Sequence, residues 1–473
     1  MGSDQPHWIR ILLALVFAEL VFSMETSLMF AALPRAMAEN DGSATVGWLV
    51  TVYFLVSGAA AAVCSVLGDK YGRKLVLMIV FAGATIGSIV SAVHSDLEWI
   101  IAGRAIQGLA GAVLPLCFGL AKEALPPEKV ALGIGVIVGT GSFGASASFI
   151  VGGLLIDYSH WQSIFYLTSA LSVLAIIFCG LALPKSPARH SGSLDILGGV
   201  LFVPGILAVM YAVSIAQTQG SLALTLATAG IAILIVWLVV ELRHPNPLID
   251  VRLFKIKDIT LANLAVMFVL MGVFYGLQIF PMLLQQPIWT GIGFGLSATA
   301  TGFLKIPSAL AAAAASFLAG AAAGKWGGRS MIIAGALLAI AAWIGMVFAS
   351  TLWLTIAVMI VSGVGAIVVT TGAVSVIVAN APSARTSEAA GMHSVLRAVA
   401  QGLGGLIVTG ILANSTLSAL GRKGIYPSPD SYRNAYLYII AMTVCVLVLG
   451  LLLPSGTARR SRSGTALLAT ERS

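Results

Sequence analysis

The chain has 473 residues, 59% of them hydrophobic and 9% charged, with a formal net charge of +8. A soluble domain carries about 25% charged residues, so a large soluble fold is excluded. A polyanion-binding protein would gather its basic surplus into a patch, and here the surplus is spread through short connecting segments.

A membrane helix needs about 20 mostly apolar residues. Stretches of that length repeat along the chain and predict fourteen spans, roughly 9–34, 45–68, 75–94, 98–121, 130–156, 161–183, 195–216, 221–241, 259–284, 296–323, 331–349, 353–379, 386–413 and 434–453. The start, Met1 to Arg10, runs directly into a long apolar span with no small-residue cleavage site, which reads as a retained helix and not a signal peptide. Between the second and third spans stands Cys64-Ser-Val-Leu-Gly68-Asp69-Lys70-Tyr71-Gly72-Arg73-Lys74. Gly68 and Gly72 allow a tight reversal there, and the three cations hold the turn on the cytoplasmic side.

With both termini on that side, the outer loops contain Arg35, Arg422, Lys423 and Arg433, and the spans contain Arg104, Lys305 and Arg397. The rest of the 26 Lys and Arg fall in cytoplasmic segments, a bias that sets orientation. Cys64, Cys117, Cys179 and Cys445 all lie inside spans, and no disulfide is expected. The longest cytoplasmic loops are 184–194 and 242–258, and the longest outer one, 414–433, carries Gly424, Pro427 and Pro429. The tail from Ser455 is rich in Ser, Thr and Arg and is expected to be disordered, with basic residues in reach of anionic headgroups.

The run from Cys64 to Lys74 resembles the loop after the second span in major facilitator superfamily transporters, Gly-x-Leu-Ala-Asp-Arg-x-Gly-Arg-Lys. Ser65 replaces the first glycine and Gly68 the alanine, while Asp69, Gly72, Arg73 and Lys74 match. Gly320-Ala-Ala-Ala-Gly324-Lys325-Trp326-Gly327-Gly328-Arg329 is a worn second copy, with Gly324 where Asp69 would be. Arg104-Ala-Ile-Gln107-Gly108-Leu-Ala-Gly111 is similar to the superfamily's fourth-span motif. Asp195-Ile-Leu-Gly198, the segment from Glu241 to Phe254, and Met24 to Pro34 resemble hallmarks of the fourteen-span drug:proton antiporter branch. In the last of these Glu25 replaces an aspartate and Phe30 an asparagine. The likeness covers about residues 9 to 453.

It implies an all-α integral membrane protein, with two six-helix bundles and two extra central helices around a midplane site. The bundles would be residues 9–183 and 259–453, the linker with the extra pair 184–258, and the tail 454–473. It also implies that Asp69, Gly72 and Arg73 form a gate latching the bundles together on the cytoplasmic side; a solvated topology anchor is the plainer reading. Two departures stand out. Ser148 and Phe149 replace the antiporters' Gly-Pro in the fifth span, and Gln162 replaces the usual arginine after it.

Ionisable groups inside a bilayer are costly and usually face a bundle interior or a water path. Glu25, near the middle of the first span, could bind and release a proton as its access alternates; a neutral carboxyl bonded to a neighbouring helix is the alternative. Glu19 lies six residues away, about 600° of rotation, so the two point about 120° apart. It is either a second proton site or a packing residue. Arg104 needs a carboxylate or several carbonyls, and Glu25 or Glu19 is its expected partner, for coupling or as a clamp.

Lys305, roughly 13 Å from the outer end of the tenth span, stands where the family pattern is apolar. It either snorkels outward or binds substrate. His393 and Arg397 are four apart and share a helix face, which Gln401 continues; substrate binding and helix–helix contact both explain them. Phe274, Tyr275, Phe280 and Trp289, with Met267 and Met271, form an adaptable apolar surface or a lipid-facing belt.

Away from the span ends, three cations, Arg104, Lys305 and Arg397, against two acids, Glu19 and Glu25, favour an anionic or neutral amphipathic substrate. No metal cluster, nucleophile triad or nucleotide loop is legible, so the expectation is a transporter and not an enzyme. Its energy would come from a proton gradient, without a cofactor. The expected function is efflux of small amphipathic compounds from the cell across the inner (plasma) membrane, as a monomer and without nucleic acid. A proton-coupled importer of a small organic anion and a transport-inactive sensor are the alternatives.

Overall fold

The computed structural model describes residues 5–40, 44–186, 196–216, 219–244, 251–349, 351–380, 386–418 and 424–454. Asp195, residues 245–250, Arg385, Arg422, Lys423 and the tail from Ser455 lie outside them, as does the side chain of Asp69. Fourteen helices are long and apolar enough to cross a membrane: Trp8–Glu39, Ala44–Gly68, Arg73–Val93, Leu97–Ala124, Pro127–Tyr158, Ser163–Ala182, Leu197–Ile215, Gly220–Arg243, Lys257–Gln285, Ala298–Trp326, Gly328–Val347, Leu352–Ile377, Val395–Ala413 and Pro429–Leu452. They are numbered here as spans 1 to 14. Among the described residues the only sheet is a two-residue ladder, Thr416–Leu417 against Tyr426–Pro427, in the long outer loop.

Three spans are interrupted where the sequence weakens the helix. Span 4 passes through a 3-10 turn at Gly108–Ala112, whose glycines let its backbone approach span 2. A Cβ on Gly108 would lie 2.6 Å from Cβ of Val56. Span 9 breaks at Gly272, and span 10 changes helix at Lys305, with Pro307 in the first turn of the second piece, where its missing N–H costs nothing.

The internal repeat is carried by chemistry as well as by topology. Gly72 and Gly327 both hold a positive φ, 98° and 79°, which a Cβ would disfavour. They turn span 2 into span 3 and span 10 into span 11. Just after each, a cation caps the last carbonyls of a neighbouring helix. Lys74 Nζ donates to Gly180 and Leu183 at the end of span 6, at 2.8 and 2.6 Å. Arg329 donates to Gly450 and Leu451 at the end of span 14. Cations at exposed helix C-termini satisfy orphan carbonyls and meet the negative end of the helix dipole. Gly68, by contrast, is helical, and its carbonyl accepts from Gly72.

Spans 1–6 pack as one group and 9–14 as another. They meet where span 2 lies along span 13, span 5 along span 10, and span 1 along the outer half of span 9. Spans 7 and 8 pack on each other, and span 7 also touches spans 2 and 13. The end bearing Gly72 is here called inner and the opposite end outer. One buried apolar cluster joins the outer half of the first group, from Met24 to Met37, to the second group at Val266 to Leu283. The inner half of the first group has its own cluster, around Leu15, Leu77 and Leu116. The inner ends of spans 10–12 have another, around Ala319 and Met331. The groups therefore share an apolar core at the outer end, whereas Gly135, Gly139, Gly320 and Gly324 on the inner halves of spans 5 and 10 have no neighbour within 4 Å of a built Cβ. The protein is closed at its outer end.

Candidate functional site

Glu25 is 1% exposed, and among the described residues neither carboxyl oxygen has a hydrogen-bond partner. Next to it, the Thr26 hydroxyl donates to the Phe22 carbonyl at 3.0 Å and shares a 2.9 Å hydrogen bond with the Tyr53 hydroxyl. The Tyr53 ring in turn carries the Arg104 guanidinium, 4.1 Å from its centroid.

The expected direct pairing of Arg104 with an acid is not made. Its Nε donates to the Leu49 carbonyl at 2.9 Å and its Nη1 to Gln107 Oε1 at 2.8 Å. Gln107 donates onward to Ser88 and Thr168. Arg104, 2% exposed, is thus solvated by a carbonyl, an amide and an aromatic face, and acts on Glu25 only through space. The reason is local: Gln107 follows on the same helix face, and the break at Gly108 brings span 2 close enough to lend Leu49 and Tyr53.

Glu19 is buried as well, and its Oε2 has no partner among the described residues. Its electrostatic partner is Arg397 on span 13. The two acids of span 1 therefore look to different arginines, as their angular separation requires. Arg397 is exposed although it stands mid-span. Its charge acts on Glu19 of span 1. One turn earlier, His393 Nδ1 lies 2.9 Å from Asn263 Oδ1. Asn263 donates through Nδ2 to the Ile259 carbonyl, so its oxygen accepts from the imidazole. Gln401 contributes its backbone carbonyl, which accepts from the Tyr275 hydroxyl. Tyr275 is fully buried and serves as a strut between spans 9 and 13.

Lys305 is half-buried and makes no ion pair among the described residues. The exposed apolar face of span 10 is marked by Phe303, Leu310 and Leu318. Lys305 comes two residues after Phe303, about 200° round the helix, and so points away from that face. Snorkelling into lipid does not account for it. Its ammonium lies 4.5 Å from the centroid of the Phe149 ring. Phe149 and Lys305 are both departures from the family pattern, and the fold brings them together as a cation–π pair. Ser148, the other fifth-span departure, donates to the Gly144 carbonyl at 2.6 Å and leaves the helix unbroken.

Above these groups an aromatic cluster closes the outer end. Phe30 and Phe54 of the first group meet Phe274 and Tyr275 of the second, with centroids 5.7–6.3 Å apart across the boundary. Phe280 stacks on Trp343 within the second group, and Trp289 meets Tyr426 of the outer loop edge-on. At the inner end Arg73 pairs with Glu123 of span 4 at 2.9 Å, within the first group. Sequence reasoning missed Glu123, Asn263 and Tyr53. It also missed Asp157, whose carboxylate at the end of span 5 accepts from the Ala298 and Thr299 N–H groups at 3.0 and 2.8 Å. Among the described residues no cluster of His, Cys, Asp or Glu could hold a metal.

Fourteen spans in two related groups, with acids and cations held between them and one end shut, define a multi-pass membrane protein of transporter architecture. The Major Facilitator Superfamily model matches residues 15–405, and the chain belongs to that superfamily of transporters, which are not enzymes. It is 28% identical to the multidrug resistance protein Stp of Mycobacterium tuberculosis over 77% of this chain and 68% of that protein. It is 26% identical to the uncharacterized MFS-type transporter YhcA of Bacillus subtilis over 67% of this chain, but spans only 59% of YhcA. A probable actinorhodin transporter of Streptomyces coelicolor is 28% identical, with 67% and 56% covered. Among solved structures, the nucleoside transporter NupG (D323A mutant) superposes with a TM-score of 0.67 at 16% identity, covering 93% of this chain and 99% of that one. A bacterial homolog of the human lysosomal transporter Spinster, inward-facing and unoccupied, gives 0.67 at 14% identity, covering 95% and 96%. These two likenesses establish the fold alone.

Proposed function

We propose that the protein is a proton-coupled exporter of small amphipathic compounds, working by alternating access in the bacterial inner membrane with both termini cytoplasmic. The observation that carries this reading is Glu25: a buried carboxyl with no hydrogen-bond partner among the described residues, beside a guanidinium satisfied by other groups. An unpaired buried charge costs several kcal/mol, so this arrangement accommodates the protonated acid. Deprotonation would draw Arg104 from the Tyr53 face toward Glu25. Proton occupancy is thereby tied to how spans 1, 2 and 4 sit together. Glu19 and Arg397, one on each group, form a second acid–base couple that changes distance as the groups rock.

The substrate is anionic or neutral. Lys305, with no carboxylate partner among the described residues, is a cation of the second group that a substrate anion can meet, and the protonated Glu25 adds no opposing charge. Relatives named for multidrug resistance and drug efflux, including the drug efflux pump JefA of M. tuberculosis, 28% identical over 64% of this chain, support export and an amphipathic cargo. With Asp69 acting at the inner end, the Gly72 turn would latch that end only when the outer end opens. Arg73, held by Glu123 in the closed-outside form, would supply the switch.

Proteoliposomes of known orientation with an imposed pH gradient test the reading. The probes are 8-anilinonaphthalene-1-sulfonate (anionic), N-phenyl-1-naphthylamine (neutral) and ethidium (cationic). The expected result is movement of the first two against the proton flow, lost in Glu25→Gln. Movement of probe and protons in the same direction would replace export with import, and no movement of any probe would overturn amphiphile transport.

A further inference from the structure

Asp157 is a polar link between the two groups of helices at the outer end. Span 10 begins with Ala298–Leu304, capped at its start by Ser297, whose Oγ accepts from the Ala300 N–H at 3.1 Å. A helix start leaves four N–H groups without helical partners. Ser297 satisfies the third of these, and the first two, of Ala298 and Thr299, go to the two oxygens of Asp157. One carboxylate from span 5 thus completes a helix end that belongs to the other bundle.

The backbones are in contact along the same line. A Cβ on Gly153 would lie 2.6 Å from the Ala298 carbonyl oxygen, and one on Gly302 would lie 2.7 Å from the Phe149 carbonyl carbon. Lys305 follows the short helix directly and rests on Phe149 of span 5. These contacts between span 10 and span 5 lie in the outer half. The inner-half glycines of both spans stand open.

We propose that Asp157 is the outer latch of the transport cycle. Opening the outer end requires the outer halves of spans 5 and 10 to part, and this bidentate contact must break first. It is built to break reversibly. Asp157 is exposed, and a recess of about 780 Å³ beside it, lined by Arg35, Glu39, Asp157, Gln286 and Tyr426 among others, admits water. Water can take over both the carboxylate and the two N–H groups as they separate. Release of the latch also frees the helix that presents Lys305, so outer opening and withdrawal of that cation from Phe149 are one movement. The latch rests on the geometry of closure and holds for any cargo or coupling ion.

The test is the rate at which an impermeant maleimide, added from the outer side, modifies a cysteine placed at Thr301. Thr301 is 2% exposed, one helical turn from the latched N–H groups. The four natural cysteines are replaced by alanine in this background. The modification rate follows the open population even when that population is small. Hydrogen bonds to a charged group are worth enough that losing them raises that rate about tenfold in Asp157→Ala, with Asp157→Asn, which keeps one acceptor oxygen, in between. An unchanged rate in both variants overturns the latch; if Asp157→Ala does not fold, Asp157→Asn alone decides. Equal acceleration of a cysteine at Ala339, buried within the second group, would show general loosening and also overturn it. The measurement needs no substrate, so failure of the export reading leaves it intact.

Discussion

Replacing Lys305 with methionine should stabilise the protein while removing its taste for anions. The ammonium is half-buried with no carboxylate partner among the described residues, and the attractive contact it makes there is with the Phe149 ring at 4.5 Å. That cation–π contact returns about 0.5–2 kcal/mol, whereas burying an unpaired charge costs several. Methionine matches the length and flexibility of the lysine stem, so packing is preserved. The net gain is about 1–3 kcal/mol, discounted for half-burial. It is read as a rise in the thermal unfolding midpoint in detergent, where about 2–4 °C per kcal/mol applies to larger domains. A charge-assisted contact is worth about 1.5–3 kcal/mol, so binding of 8-anilinonaphthalene-1-sulfonate weakens about 10- to 100-fold. Binding of N-phenyl-1-naphthylamine is unchanged, and Lys305→Arg retains the anion preference. A lower midpoint in Lys305→Met with identical binding of both probes would refute the reasoning and make the lysine a packing element.

Gly302→Ala places a methyl against the Phe149 and Ile150 backbone, atoms that cannot swing aside. Overpacking costs about 1–3 kcal/mol, and here it falls on the closed outer end alone; a cysteine at Ile156 should be modified from outside several-fold faster. Tyr53→Phe keeps the ring beneath Arg104 and loses only the bond to Thr26, lowering stability by about 1 kcal/mol. Tyr53→Leu loses the cation–π contact as well and should cost about 2–4 kcal/mol, so the thermal midpoints should rank wild type, Phe, Leu.

The fourteen spans were legible because the bilayer sets their length, and each apolar stretch had to reach it. The repeat was legible even where its motif was worn, because the turn depends on Gly72 and Gly327 and on the capping Lys74 and Arg329. The loss of the acid at Gly324 touches neither. The 600° between Glu19 and Glu25 foretold that they would look in different directions. What the chain order hid was partner choice. Arg104 had nearer partners than an acid, supplied by Gln107 on its own helix and by a span-2 backbone that only the Gly108 break brings close. Phe149 and Lys305 each looked like an isolated anomaly until the fold set one over the other. Asp157 looked like ordinary charge at a span end, since nothing local says that its two oxygens complete a helix start far along the chain.

If Glu25 carries the coupled proton, Glu25→Gln in proteoliposomes separates transport from its coupling. Two rates are compared with 8-anilinonaphthalene-1-sulfonate as probe: exchange across the membrane at equal pH, and accumulation driven by a pH gradient. The variant is expected to keep the exchange and lose the gradient-driven accumulation, because the neutral amide preserves the protonated arrangement but cannot release a proton. Gradient-driven accumulation at the wild-type rate in Glu25→Gln would contradict it.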